Sequence, residues 1–99
     1  MPYELRVSKE ATADIQALSA FHRNSIVAAL ELLTHQATIE TRNRKPLSEP
    51  LGEFPAGTWE ARIGDYRAFY GIEDEQAVRV FRVIFKGKST TLDALGRGK

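Results

Sequence analysis

No cysteine occurs in the 99 residues. That absence excludes a disulfide framework, a thiolate metal site and a cysteine nucleophile, and it fits a reducing, cytoplasmic setting. Histidine is scarce. His22 and His35 stand far apart, at no metal-ligand spacing, and read as surface residues. Neither a bound metal nor any other cofactor is expected. The longest apolar stretch, IVAALELL from Ile26 to Leu33, is short and interrupted by Glu31, so no membrane span is read. The opening MPYELRVSKE carries charges where a secretory leader would carry an apolar run, so no such leader is expected. A phosphate-cradling glycine loop is missing as well: GRGK at the C-terminal end has no strand before it and no helix after it. Nor is a Ser/His/Asp arrangement readable.

Excess charge is also lacking. Fourteen Lys and Arg face 13 Asp and Glu, for a net charge of +1. Total charge therefore makes no case for nucleic acid. Its distribution says more. Acidic residues crowd IEDEQ (Glu73, Asp74, Glu75). Basic ones gather in TRNRKP (Arg42, Arg44, Lys45), at Arg62 and Arg67, and in RVIFKGKS (Arg82, Lys86, Lys88). If the fold brings these three stretches together, one face is basic although the whole is not.

The patterning describes one domain spanning 1–99, with a polar C-terminal tail from about residue 89. YELRVS alternates Tyr3, Leu5 and Val7 against Glu4, Arg6 and Ser8, as a half-buried strand does. Ser8 is placed to N-cap a helix carrying Ala11, Ile15 and Leu18, with Glu10 in its first turn. A bend is expected around Phe21–Asn24, and a second helix then carries Ile26, Leu30, Leu33 and Ala37 on one face. The stretch from Arg42 to Pro55, with three prolines and a glycine, reads as a loop. TWEARI, YRAFYGI and AVRVFRVIF read as three strands, joined at Gly64–Asp65 and at EDEQ. Leu92 and Leu95 in the tail are spaced like one helical turn. The expected fold class is α+β: an N-terminal strand, a two-helix hairpin, then a three-strand antiparallel meander, with the helices on one face of a small twisted sheet.

The arginines carry the best chemical signal. Strand alternation puts Trp59, Ala61 and Ile63 on one face and Glu60 and Arg62 on the other. Tyr66, Ala68, Tyr70 and Ile72 would cover the helices, leaving Arg67 and Phe69 on the open face. Arg62 and Arg67 would then project together near the hairpin turn. Two roles suit them. They can pair with Glu53, Glu60 or Asp65 in surface salt bridges, contributing ~0–1 kcal/mol each. They can also clamp a phosphate, whose oxygens match guanidinium forks.

RNRKPL followed by WEARIGDYRAFYGI and a valine-rich strand resembles the RelE/ParE superfamily of toxins from toxin–antitoxin modules. The resemblance spans roughly residues 3–88, and its most specific part is the Arg-Ile-Gly-Asp-Tyr-Arg hairpin. It implies a small twisted sheet under a helical hairpin, and a cognate antitoxin as partner. It further implies ribosome-dependent, metal-independent cleavage of mRNA, in which a ribose 2′-hydroxyl attacks the adjacent phosphate and translation stops. In that reading Arg67 matches the arginine that stabilises the phosphate, Arg62 matches a second basic position, and Lys88 is a possible acid. Arg42, Arg44 and Lys45 match a basic RNA-touching loop, Lys86 and Lys88 fall near the basic position at the end of the last strand, and Arg82 and Lys86 join the loop as expected substrate-binding residues. Two departures stand out. KGKSTTLDAL supplies neither the tyrosine nor the histidine that cleaving members commonly carry after the last strand, and Thr58 and Glu60 replace their paired lysines. The resemblance therefore also admits a ParE-like inhibitor of DNA gyrase without nuclease activity, or a degenerate antitoxin-binding module.

Overall fold

The structure, a computed structural model, describes residues 3–47 and 54–86. Lys88, the Leu92–Leu95 turn and Glu53 lie outside the described residues. The elements are β1 (Glu4–Val7), α1 (Lys9–Gln16), α2 (Ala20–Gln36), β2 (Arg44–Pro46), β3 (Trp59–Ile63), β4 (Tyr66–Glu73) and β5 (Ala77–Phe85). The five strands make one sheet in the order β1-β5-β4-β3-β2. β1 pairs with β5 in parallel and the other pairs are antiparallel. The expected α+β class is what the chain adopts, with one strand more than the sequence suggested.

Local chemistry starts the first helix as expected. Ser8 is extended, and its hydroxyl accepts from the Ala11 amide at 3.0 Å while donating to the Phe81 carbonyl at 2.8 Å. One side chain thus caps α1 and ties it to β5. The helix break falls at Ala17–Ser19, before the expected Phe21–Asn24. His22, Arg23 and Asn24 are exposed and sit within the first turns of α2. A polar run on the solvent side of a helix does not need a bend to reach water.

The second correction concerns the proline-bearing stretch. It is not all loop: Arg44, Lys45 and Pro46 pair with Ala61, Glu60 and Trp59 as edge strand β2. Proline is tolerated there because an edge strand leaves one side of its backbone unpaired. The lysine and the proline also blunt that edge against pairing with another chain.

The main core lies between sheet and helices. Ala11, Ile15, Ile26, Leu30 and Leu33 meet Ala61, Ala68, Tyr70, Val78 and Val80. The Tyr70 hydroxyl donates to the Ala37 carbonyl at 2.7 Å, satisfying an orphan acceptor at the end of α2. Burial pushes that hydroxyl's pKa up. On the opposite face Phe54 stacks on Phe69 at 4.8 Å, and Phe81 lies 6.0 Å from Phe54. A Cβ at Gly71 would meet the Phe81 ring at 3.3 Å, so the bare backbone there makes room for it. This small aromatic cluster closes the middle of the face that the sequence pattern suggested was open.

Candidate functional site

The site is built at the β3–β4 hairpin. Gly64 takes φ 61°, a backbone that side chains other than glycine's strain to adopt, and the chain reverses within two residues. Ile63 then faces Tyr66, and Arg62 faces Arg67 directly across the ladder. Like charges directly opposite each other repel. A fold that keeps such a pair must offset it.

Arg67 is offset mainly by the backbone. It is buried, at 6% exposure, contrary to the open position expected for it. Its Nη1 donates to the carbonyls of Gly64 at 3.1 Å and Tyr66 at 2.8 Å. Its Nε lies 3.5 Å from Glu60 Oε2, an ion pair without a hydrogen bond, and that N–H has no hydrogen-bond partner. Burial, then the charge of Arg62, lowers the guanidinium's pKa from its ordinary value. The group stays cationic, since arginine starts far above neutrality.

Arg62, by contrast, is exposed. Its amide donates to the Asn43 carbonyl at 2.6 Å, which draws the segment before β2 alongside β3. Register places Lys45 opposite Glu60. A small cleft results, lined by Arg42, Asn43, Lys45, Glu60 and Arg62. Arg42 and Lys45 of the basic loop, distant in sequence from Arg62, share this cleft with it. Asn43 was not among the expected residues; its only sequence signal is its place between Arg42 and Arg44.

Other expected cations are placed elsewhere. Arg44 points to the helix side, buried at 8% exposure. Its Nε donates to the Ile39 carbonyl at 2.9 Å and its Nη2 to Gln36 Oε1 at 2.9 Å. It closes the C-terminal end of α2, where a cation is favoured. The reason is parity: in a strand, Arg44 and its neighbour Lys45 face opposite ways. Arg82 forms a two-pronged pair with Asp14, Nε to Oδ2 at 2.7 Å and Nη2 to Oδ1 at 3.0 Å. Asp14 Oδ2 also accepts from the Val83 amide at 2.9 Å, so this carboxylate seals the part of the β5 edge that β1 does not reach. Lys86 donates its amide to the Asp65 carbonyl at 2.8 Å and so lies beside the hairpin tip. Among the described residues no group of three or more His, Asp or Glu is arranged to hold a metal ion, and no helix is long and apolar enough to cross a membrane.

The exposed Arg42, Lys45 and Arg62, with Arg67 beneath them and Glu60 among them, make a patch with a surplus of cations. The family model for the ParE toxin of type II toxin–antitoxin systems, parDE, matches residues 5–87. The chain is a RelE/ParE-superfamily toxin of a type II toxin–antitoxin system. Solved structures agree. The RelBE2 toxin–antitoxin complex from Mycobacterium tuberculosis is similar at 34% identity and TM-score 0.68, covering 84% of this toxin and 96% of that chain. The archaeal RelE–RelB complex from Pyrococcus horikoshii gives 19% identity and TM-score 0.71 over 90% of this toxin and 100% of that chain. The intact RelBE complex of E. coli gives 23% and 0.65, over 89% and 98%. At these last two identities the likeness is one of fold. No curated protein matches the sequence.

Proposed function

We propose that this toxin is a ribosome-dependent mRNA endoribonuclease that halts translation in the cytoplasm and is neutralised by a cognate antitoxin. The observation that carries the reading is the cross-strand pair Arg62–Arg67, flanked by Arg42 and Lys45. Repulsion within that pair is relieved when an anion arrives, and a phosphorane carries more negative charge than the diester it comes from. The patch therefore favours the transition state over the substrate. In the proposed step the ribose 2′-hydroxyl attacks the adjacent phosphorus and gives up its proton. The bond to the 5′-oxygen breaks, and that oxygen takes a proton. The products end in a 2′,3′-cyclic phosphate and a 5′-hydroxyl. Exposed Arg62 meets the non-bridging oxygens, and the buried guanidinium of Arg67 adds its charge from beneath. Glu60, ion-paired with Arg67 at 3.5 Å and lining the cleft beside Arg62, takes the 2′-hydroxyl proton in this proposal. Lys86 beside the tip holds a flanking phosphate, and Lys88, outside the described residues, is the candidate acid.

The antitoxin follows from family membership and from the similar toxins solved with theirs. A second reading, inhibition of DNA gyrase, is favoured by one observation: two of Arg67's hydrogen bonds are already committed to backbone carbonyls. Toxin added to a purified translation system and to a gyrase supercoiling assay separates the two. Cleaved mRNA with normal supercoiling supports the nuclease; intact mRNA with lost supercoiling supports the gyrase inhibitor.

A further inference from the structure

The hairpin tip borders a second cavity on its helix side. This cleft, of about 450 Å³, is lined by Phe21, His22, Ser25, Asp65, Tyr66 and Phe85 among others. Four rings run along it in sequence. Phe21 meets His22 at 5.3 Å and 72°, His22 meets Tyr66 at 5.4 Å, and Tyr66 meets Phe85 edge-on at 5.5 Å and 71°. Tyr66 is half-buried, whereas His22, Phe21 and Phe85 are exposed, the last two at 75% and 61%. The Ser25 hydroxyl, the His22 imidazole and the Asp65 carboxylate add hydrogen-bonding groups to a wall of rings backed by Ile26 and Ile63.

The cleft is joined to the basic patch by the turn itself. Gly64 and Tyr66, which line it, are the residues whose carbonyls hold Arg67. Lys86 is pinned beside the same tip through the Asp65 carbonyl. A ligand seated on the rings thus has Lys86 at its side and the Arg62–Arg67 pair around the turn. Flat rings with hydrogen-bonding groups beside fixed cations match one chemistry well: a nucleobase that stacks, carried on a phosphate backbone.

We propose that this cleft is a nucleobase subsite, taking the base next to the phosphate held at Arg62 and Arg67. The inference rests on the endoribonuclease reading and names how its RNA is positioned. An aliphatic antitoxin helix, or the chain's own residues after Lys86, would be rival occupants.

The test measures toxin binding to ribosomes programmed with an mRNA whose decoding-site codon carries 2′-O-methyl riboses, which cannot be cut. The codon is used intact or with one abasic nucleotide. For wild type, removing the seated base should weaken binding roughly 5- to 100-fold, the range for one base on an aromatic ring. Phe85→Ser should weaken binding to the intact codon by a similar factor and become indifferent to the abasic site. His22→Ala, a second exposed position, should do the same. Arg62→Ala should weaken binding to both codons equally and reduce its salt dependence. Phe85→Ser and His22→Ala variants that bind the intact codon like wild type would overturn the subsite while leaving the phosphate patch standing. So would variants that lose only the antitoxin, which would hand the cleft to the rival helix. A wild-type toxin that does not bind programmed ribosomes would overturn the endoribonuclease reading itself, and the subsite with it.

Discussion

β4 ends in two hairpins that solve opposite electrostatic problems. At the β4–β5 turn each arginine has a carboxylate partner. Arg6 pairs with Glu73 at 2.6 Å and Glu4 at 3.1 Å, and Arg79 pairs with Glu73 at 2.9 Å. These contacts raise the pKa of Arg6 and lower that of Glu73. Two non-glycine residues there, Asp74 at φ 56° and Glu75 at φ 59°, adopt the left-handed backbone without a Cβ-free residue to ease it. At the β3–β4 turn the one positive φ falls on glycine, and arginine faces arginine. Cations are matched by carboxylates at one end of the strand and outnumber them at the other. The lesson is that a count of arginines does not locate a binding site. The end where fold-internal partners leave positive charge in surplus is where an anion gains most.

Substitutions sharpen this contrast. The largest effect is expected at Arg67. Arg67→Ala should slow mRNA cleavage ~100- to 1,000-fold, the loss typical of removing one donor to a developing oxyanion. Circular dichroism on the same sample should show a folded protein. Full cleavage by the folded variant would reduce Arg67 to a staple for its own turn. Arg44→Ala comes next, and acts on stability. It leaves the Ile39 carbonyl and Gln36 without their cation, at a cost of about 2–3 kcal/mol in chemical denaturation, since hydrogen bonds from charged donors are the stronger kind. Arg42→Ala, exposed and on the same segment, should leave stability within about 0.5 kcal/mol. If the two variants unfold alike, the inward assignment of Arg44 is wrong. At the tip, Gly64→Ala should cost about 1–2 kcal/mol for a side chain forced to positive φ, although no atom stands in its way.

The smallest effect is expected at the β4–β5 turn. The Glu73 pKa is lowered, chiefly by hydrogen bonds from Arg79 and then Arg6. A carboxylate with a depressed folded pKa contributes stability that is complete above its unfolded value of ~4.3 and is lost as pH falls through the folded pKa. Acid titration of Glu73→Gln, followed by melting temperature, should therefore show a flatter decline below about pH 4 than wild type. Both should show the same trend near neutrality. A difference that grows toward pH 7 would contradict the pairing.

Much of the fold was legible because its signals are local. The alternation in YELRVS, the Ser8 cap and the Gly64–Asp65 reversal each depend on neighbours within a few residues, and each is found where expected. The faces of β3 and β4 followed from strand period alone, so Ala61, Ala68 and Tyr70 are in the core as the pattern required. The site was harder because burial is decided at long range. Arg44 and Lys45 looked equivalent while prolines made their segment read as a loop; once β2 exists, parity sends one inward and the other out. The bond between Arg82 and Asp14 joins β5 to α1, and nothing in either segment announces it. Phe54 reaches over Phe69 from the far side of the loop, so the face that looked open is covered at its centre.

The central claim, that the charge surplus at the β3–β4 turn serves RNA cleavage, is tested most directly by mapping mRNA ends in a purified translation system. Wild-type toxin and Arg62→Ala are compared at matched concentration. Arg62 is exposed, so its loss leaves the fold undisturbed. The account predicts toxin-dependent cuts within the decoding site that end in 2′,3′-cyclic phosphate, at least tenfold fewer with Arg62→Ala. Cuts undiminished in that variant, or mRNA left whole by wild-type toxin while gyrase activity is lost, would contradict it.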